Sequence, residues 1–125
     1  MTGLHRHEAG NTAIEFALTL PILLVMLFGI IEGGKVVWTQ QSLQHGAQMA
    51  ARCAAIDTTK CKTSQQVASF ASTAAWGIDP DTSLISVSDQ ACGSQVMISY
   101  PYDFLYEIGA GWTLTLRAAS CFPHG

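Results

Sequence analysis

Three hydrophobic rhythms follow one another along the chain. The first has no period: from Phe16 to Ile31 there are 16 residues without a charge, about 24 Å of helix against a hydrocarbon core of about 30 Å. Extending back to Ala13 gives 19 residues and about 28 Å, close to a full span, but takes in Glu15. A carboxylate at that depth costs on the order of 2.5–3.5 kcal/mol on insertion scales, so it needs a partner or a purpose. The second rhythm is helical. Val36, Leu43, Ala47, Ala50 and Ala54 fall near one face, while Gln40, Gln44, Gln48 and Arg52 fall on the other and read as wet. Together these predict one helix from about Thr12 to Ile56, about 67 Å long, with Pro21 inside the span, where membrane helices tolerate it.

After a polar connector at 57–62, the helical rhythm returns. Thr63 or Ser64 can cap a second helix whose stripe is Val67, Phe70, Ala71 and Ala74, with Gly77 at its C′ position and a turn at 79–81. The third rhythm has period two. It predicts strands at 84–88, 94–100 and 112–118, with Val96, Ile98 and Tyr100 sharing one face of the second and Trp112, Leu114, Leu116 and Ala118 sharing one face of the third. The last two strands pair as an antiparallel ribbon with Ile98 near Leu114 or Leu116. The fold class is therefore α+β: a long N-terminal helix, its first half transmembrane, and a small head of one further helix and a roughly three-stranded antiparallel sheet.

Composition narrows the function classes. The formal net charge is −3, 12% of residues are charged and no basic run occurs, so no nucleic-acid surface is expected. Cys53, Cys61, Cys92 and Cys121 all follow the span, which points to an oxidising compartment and to disulfides bracing a small core. Four cysteines allow three pairings. Cys53 with Cys61 and Cys92 with Cys121 is favoured, and the other two stay open. In the expected register a regular ladder would point Cys92 and Cys121 to opposite faces, so their bond needs an irregular end that Gly93 could supply.

The apolar run is longer than the about 7–15 residues of a signal h-region, and no A-x-A-like site closes it, so it reads as an uncleaved anchor. The polar residues 1–10 are expected to be unstructured. Flanking charges orient the span poorly; the cysteines favour an exported C-terminus.

The residues around Glu15 carry a resemblance. "G-NTAIE-F" sets Gly10 five residues before Glu15 at the start of an apolar helix, as in the processing sites of type IV pilins and pseudopilins. The longer "EFALTLPILLVMLFGIIEGGKVVWTQQSLQHGAQMAAR" resembles the TadE-like minor pseudopilins of the tight-adherence (Tad/Flp) type IV pilus system, most closely over residues 10–55. The resemblance implies a cytoplasmic leader at 1–10, cleavage between Gly10 and Asn11 by a prepilin peptidase, a transmembrane assembly helix at 11–34 and a periplasmic head at 35–125. Glu15 would then pair with an Asn11 α-amine, its own or that of a neighbouring subunit. The implied partners are the peptidase, other pilins and pseudopilins, the inner-membrane assembly platform and the lipid bilayer. The implied role is non-enzymatic, in assembly or initiation of an adhesive pilus. The rival reading is a membrane-anchored periplasmic binding module that never leaves the bilayer.

The remaining candidates are weaker. Gly29 and Gly33 form G-x-x-x-G, a helix-packing motif often met by chance, beside Pro21 on the same helix. Asp79 and Asp81 resemble a fragment of a calcium loop without its remaining ligands. Cysteine gaps of 8, 31 and 29 lack a C-x-x-C pair, and His5, His7, His45 and His124 have no ligand spacing, so neither metal nor cofactor is expected. Tyr100, Tyr102, Phe104, Tyr106 and Trp112 read as core and loop lid rather than an adhesive patch.

Overall fold

The computed structural model describes residues 4–104 and 113–124, residues 4–9 by backbone alone. It divides into two compact units, Met1–Gly34 and Lys35–Gly125. Helix α1 runs Leu4–Ile56, α2 Ser64–Ala74, and a short 3-10 turn Thr82–Leu84 leads into strands β1 (Ile85–Gln90), β2 (Gly93–Tyr102) and β3 (Leu114–Phe122). The fold is α+β, with one antiparallel sheet in the order β1-β2-β3.

α1 starts earlier than expected, at Leu4 rather than Thr12. Residues 4–10 are thus helical, not unstructured, because extending an existing helix adds a hydrogen bond per residue and no proline interrupts them. The helix also continues through Pro21.

In the second unit, Leu43, Ala47 and Ala50 are fully buried and Val36 and Ala54 pack against them, as the helical spacing predicts. The buried face is wider than that stripe, taking in Thr39, Ser42 and Ala51 as well. α2 is held by a complete capping box: Gln66 N–H donates to Thr63 Oγ1 at 3.3 Å, and Thr63 N–H donates to Gln66 Oε1 at 3.1 Å. Its Val67, Ala68 and Ala71 are buried in the same core.

Gly46 explains how closely the two helices approach. A Cβ built there would lie 2.8 Å from the Ala71 carbonyl oxygen and 3.1 Å from Ala75 Cβ. Gly→Ala inside a helix ordinarily stabilises by about 1 kcal/mol. Here the sign should reverse, because α2 must be pushed off its seat, and overpacking of this kind costs about 1–3 kcal/mol. Gly46→Ala is expected to lower the unfolding midpoint of the detergent-solubilised chain, and Gly46→Val to lower it further. A midpoint raised by Gly46→Ala would show that the helices are not in contact at this position.

The sheet presents Ile85, Val96, Ile98, Tyr102, Leu116 and Ala118 to the core, and the opposite face carries Ser86, Ser88, Met97 and Arg117, all exposed. The β2–β3 register corrects the expectation. Ile98 pairs with Ala118 and Tyr100 with Leu116, so β3 is displaced by two or four residues from the expected pairing. An even shift keeps every side chain on its face, so alternation alone could not detect it. The strands are also longer at their C-terminal ends than predicted, and Trp112, expected to open the third strand, lies outside the described residues.

Both favoured disulfides form, Cys53–Cys61 and Cys92–Cys121, with Cα separations of 5.8 Å and 6.2 Å. The facing problem dissolves because Gln90 pairs with Gly93, leaving Ala91 and Cys92 as a two-residue turn outside the ladder. Neither turn residue has a positive φ, and Gly93 takes the reversal with φ 125°.

Candidate assembly site

Residues 10–34 of the first unit are one continuous stretch of helix, and most of its apolar side chains are exposed among the described residues. Ile14, Phe16, Leu18, Ile22, Val25 and Ile30 are each more than 60% exposed. The most apolar 18-residue window has mean hydropathy 2.5 and none of it is buried. An uncovered surface of this size marks contact with lipid or with other apolar helices, and the helix is long and apolar enough to serve as a single-pass anchor.

Gly10, Asn11 and Glu15 lie on this helix, all exposed, with one turn between Asn11 and Glu15. Among the described residues Glu15 forms no ion pair. Its backbone carbonyl accepts the Thr19 hydroxyl at 2.9 Å, and the Phe16 carbonyl receives a longer contact from the same hydroxyl at 3.3 Å. This folds Thr19's polar group onto the backbone just before Pro21, where the proline removes the donor for the Ala17 carbonyl. A Cβ added at Gly29 or Gly33 would meet nothing within 4 Å, so the G-x-x-x-G notch is open surface.

In the second unit, Asp57 and Asp81 shape the backbone around them. Asp57 accepts from the Thr59 hydroxyl at 2.6 Å and from the Thr59 and Lys60 amides, each at 3.0 Å. Those bonds, the hydroxyl's first, hold its carboxyl below the usual value and shape the connector that carries Cys61. Asp81 caps the 3-10 turn through the Ser83 amide at 2.9 Å, which likewise lowers its carboxyl pKa. With Asp79 at φ 46° and Pro80 buried, the acidic pair at 79 and 81 is a turn. Among the described residues no group of three or more His, Cys, Asp or Glu side chains could hold a metal ion.

Tyr102 is buried and meets Phe104 edge-on at 5.1 Å, while Tyr100 and Phe104 pack against the core. Tyr106 and the Trp112 side chain lie outside the described residues. Sequence reasoning missed two braces on α1. His45 Nδ1 donates to the Ala74 carbonyl at 3.1 Å, with its ring 4.7 Å from that of Trp76; the carbonyl can only accept, so Nδ1 carries the hydrogen. Gln40 and Gln44, expected to face water, instead donate to the carbonyls of Arg117 and Ala119 at 2.8 Å and 3.1 Å. Their spacing of four was the available signal.

With this geometry in view, the chain matches one family model, described as TadE-like protein, over residues 10–52. No curated protein and no solved structure matches it. The matched stretch begins at Gly10, includes Glu15, Pro21, Gly29 and Gly33, and ends inside α1.

Proposed function

We propose, for a chain that is TadE-like over residues 10–52 and so related to the tight-adherence pilus, that it acts as a non-enzymatic minor pseudopilin. In this reading a prepilin peptidase cuts between Gly10 and Asn11 on the cytoplasmic side of the inner membrane. The new chain, anchored by α1 with its disulfide-braced head in the periplasm, joins or initiates the filament through contacts with other pilins and the assembly platform. Gly29 and Gly33 supply a close-packing notch, and Pro21 a point of adjustment, on the assembly helix.

The observation that carries the reading is one acidic side chain in the otherwise uncharged, exposed stretch of α1 from Gly10 to Ile31, five residues after the position where the family match begins and one turn after Asn11. An ordinary anchor gains nothing from that carboxylate. A helix that must dock beside others at a defined height gains a partner and a register mark, since a buried charge tolerates only positions where its opposite is present. The rival, a tethered periplasmic binding module, keeps its leader and treats Glu15 as a side chain reaching for the interface.

Mass spectrometry of the membrane-extracted protein separates the two. An N-terminus at Asn11 is expected. An intact Met1, or a cut near Gly34, would defeat the pseudopilin reading.

A further inference from the structure

Gln40 and Gln44 do something that core packing does not require. Both are half-buried on the flank of α1, and both reach outward to the backbone of β3 rather than to a side chain. Among the described residues β3 has one strand neighbour, β2, so its other edge is open. Carbonyls of residues two apart point to the same edge of a strand, and those of Arg117 and Ala119 are the two the glutamines hold. The spacings agree: one helical turn of four residues rises about 6.0 Å, and two strand residues advance about 6.7 Å. A Q-x-x-x-Q pair lying along a strand can therefore meet two successive outward carbonyls. Gln48 is rotated about a further 40° at each such step and is exposed.

β3 needs such protection. It has nine residues, long for an edge strand, contains no proline, and carries a single charge, Arg117. An open edge of that kind is a template for an identical strand, because two copies of β3 related by a two-fold axis can pair antiparallel and join their sheets. We propose that Gln40 and Gln44 are an edge lock, whose two amides withhold the open edge of β3 from β3 of a second copy. The lock lies wholly in the second unit and does not depend on the pilus reading.

The full-length protein in detergent micelles provides the test, with protein mass read by light scattering. Gln40→Ala/Gln44→Ala should at least double the protein mass relative to wild type. Gln40→Asn/Gln44→Asn, which keeps the amide but shortens its reach by one methylene, should do the same, and guards against an alanine variant too unstable to read. Adding Ala119→Pro to either double variant should return the mass to that of wild type. The amide of residue 119 faces the open edge together with its carbonyl, so proline there blocks pairing without removing a bond to β2. The proposal is overturned if the double variants keep both disulfides and native circular dichroism yet show the wild-type mass, or if the larger species persists with Ala119→Pro.

Discussion

Gly93→Ala should abolish the native head. A Cβ at this position would sit 2.1 Å from the Phe122 carbonyl oxygen, 2.6 Å from Pro123 Cα and 2.7 Å from the Phe122 carbonyl carbon. All three are backbone atoms, so no side-chain rotation can relieve the clash. The backbone at φ 125° is itself a conformation that costs a side-chain-bearing residue about 1–3 kcal/mol. Retreat is also restricted, because the end of β3 that would have to move carries Cys121, bonded to Cys92 on the other side of Gly93. The two penalties together should exceed about 4 kcal/mol, a large share of the about 5–15 kcal/mol that holds a small domain together.

Gly77→Ala is the matching control. Gly77 also has positive φ, 73°, but a Cβ there meets nothing within 4 Å, so it should show the strain alone, about 1 kcal/mol. Denaturant unfolding of the oxidised protein in detergent should separate the two widely. Equal midpoints for both variants would mean that the hairpin and β3 are not held together as described.

Gly93 also shows where a sequence stops being legible. Its usefulness for a Cys92–Cys121 bond could be anticipated, but its contact with Phe122 depends on the β2–β3 register, and period-two patterning is blind to shifts of two. The buried stripe of α1 was readable because a helix's inward face repeats in the sequence itself. The seat of α2 on Gly46 was not, since a glycine in a helix looks the same whether it faces water or a neighbour's backbone. Gln40 and Gln44 were misread for a related reason: polar side chains at a helix flank default to solvent unless a strand edge happens to lie beside them. The candidate assembly site stands out in the opposite sense. Its residues stand out because the chain itself gives Glu15 no ion pair among the described residues and gives the apolar surface around it no cover.

Glu15→Gln should therefore leave the protein in the membrane and remove it from the filament. Replacing the carboxylate by a neutral amide of similar size lowers the cost of placing residue 15 in lipid, so insertion should be at least as efficient as in wild type. If the carboxylate's role is to meet an Asn11 ammonium among packed helices, the loss appears only on assembly, where the amine is left buried without its opposite charge. Removing one partner of a buried pair costs about 3–5 kcal/mol, or two to three and a half orders of magnitude in the association constant. Sheared pili should fall to near background while the membrane fraction holds normal amounts of the processed chain. Glu15→Asp, which keeps the charge one methylene further away, should recover part of the yield. A glutamate that merely reaches for the interface predicts the opposite pattern, with Gln fully tolerated because it inserts more easily. Wild-type pilus yield in Glu15→Gln would leave the carboxylate without an assembly role and return α1 to a simple tether.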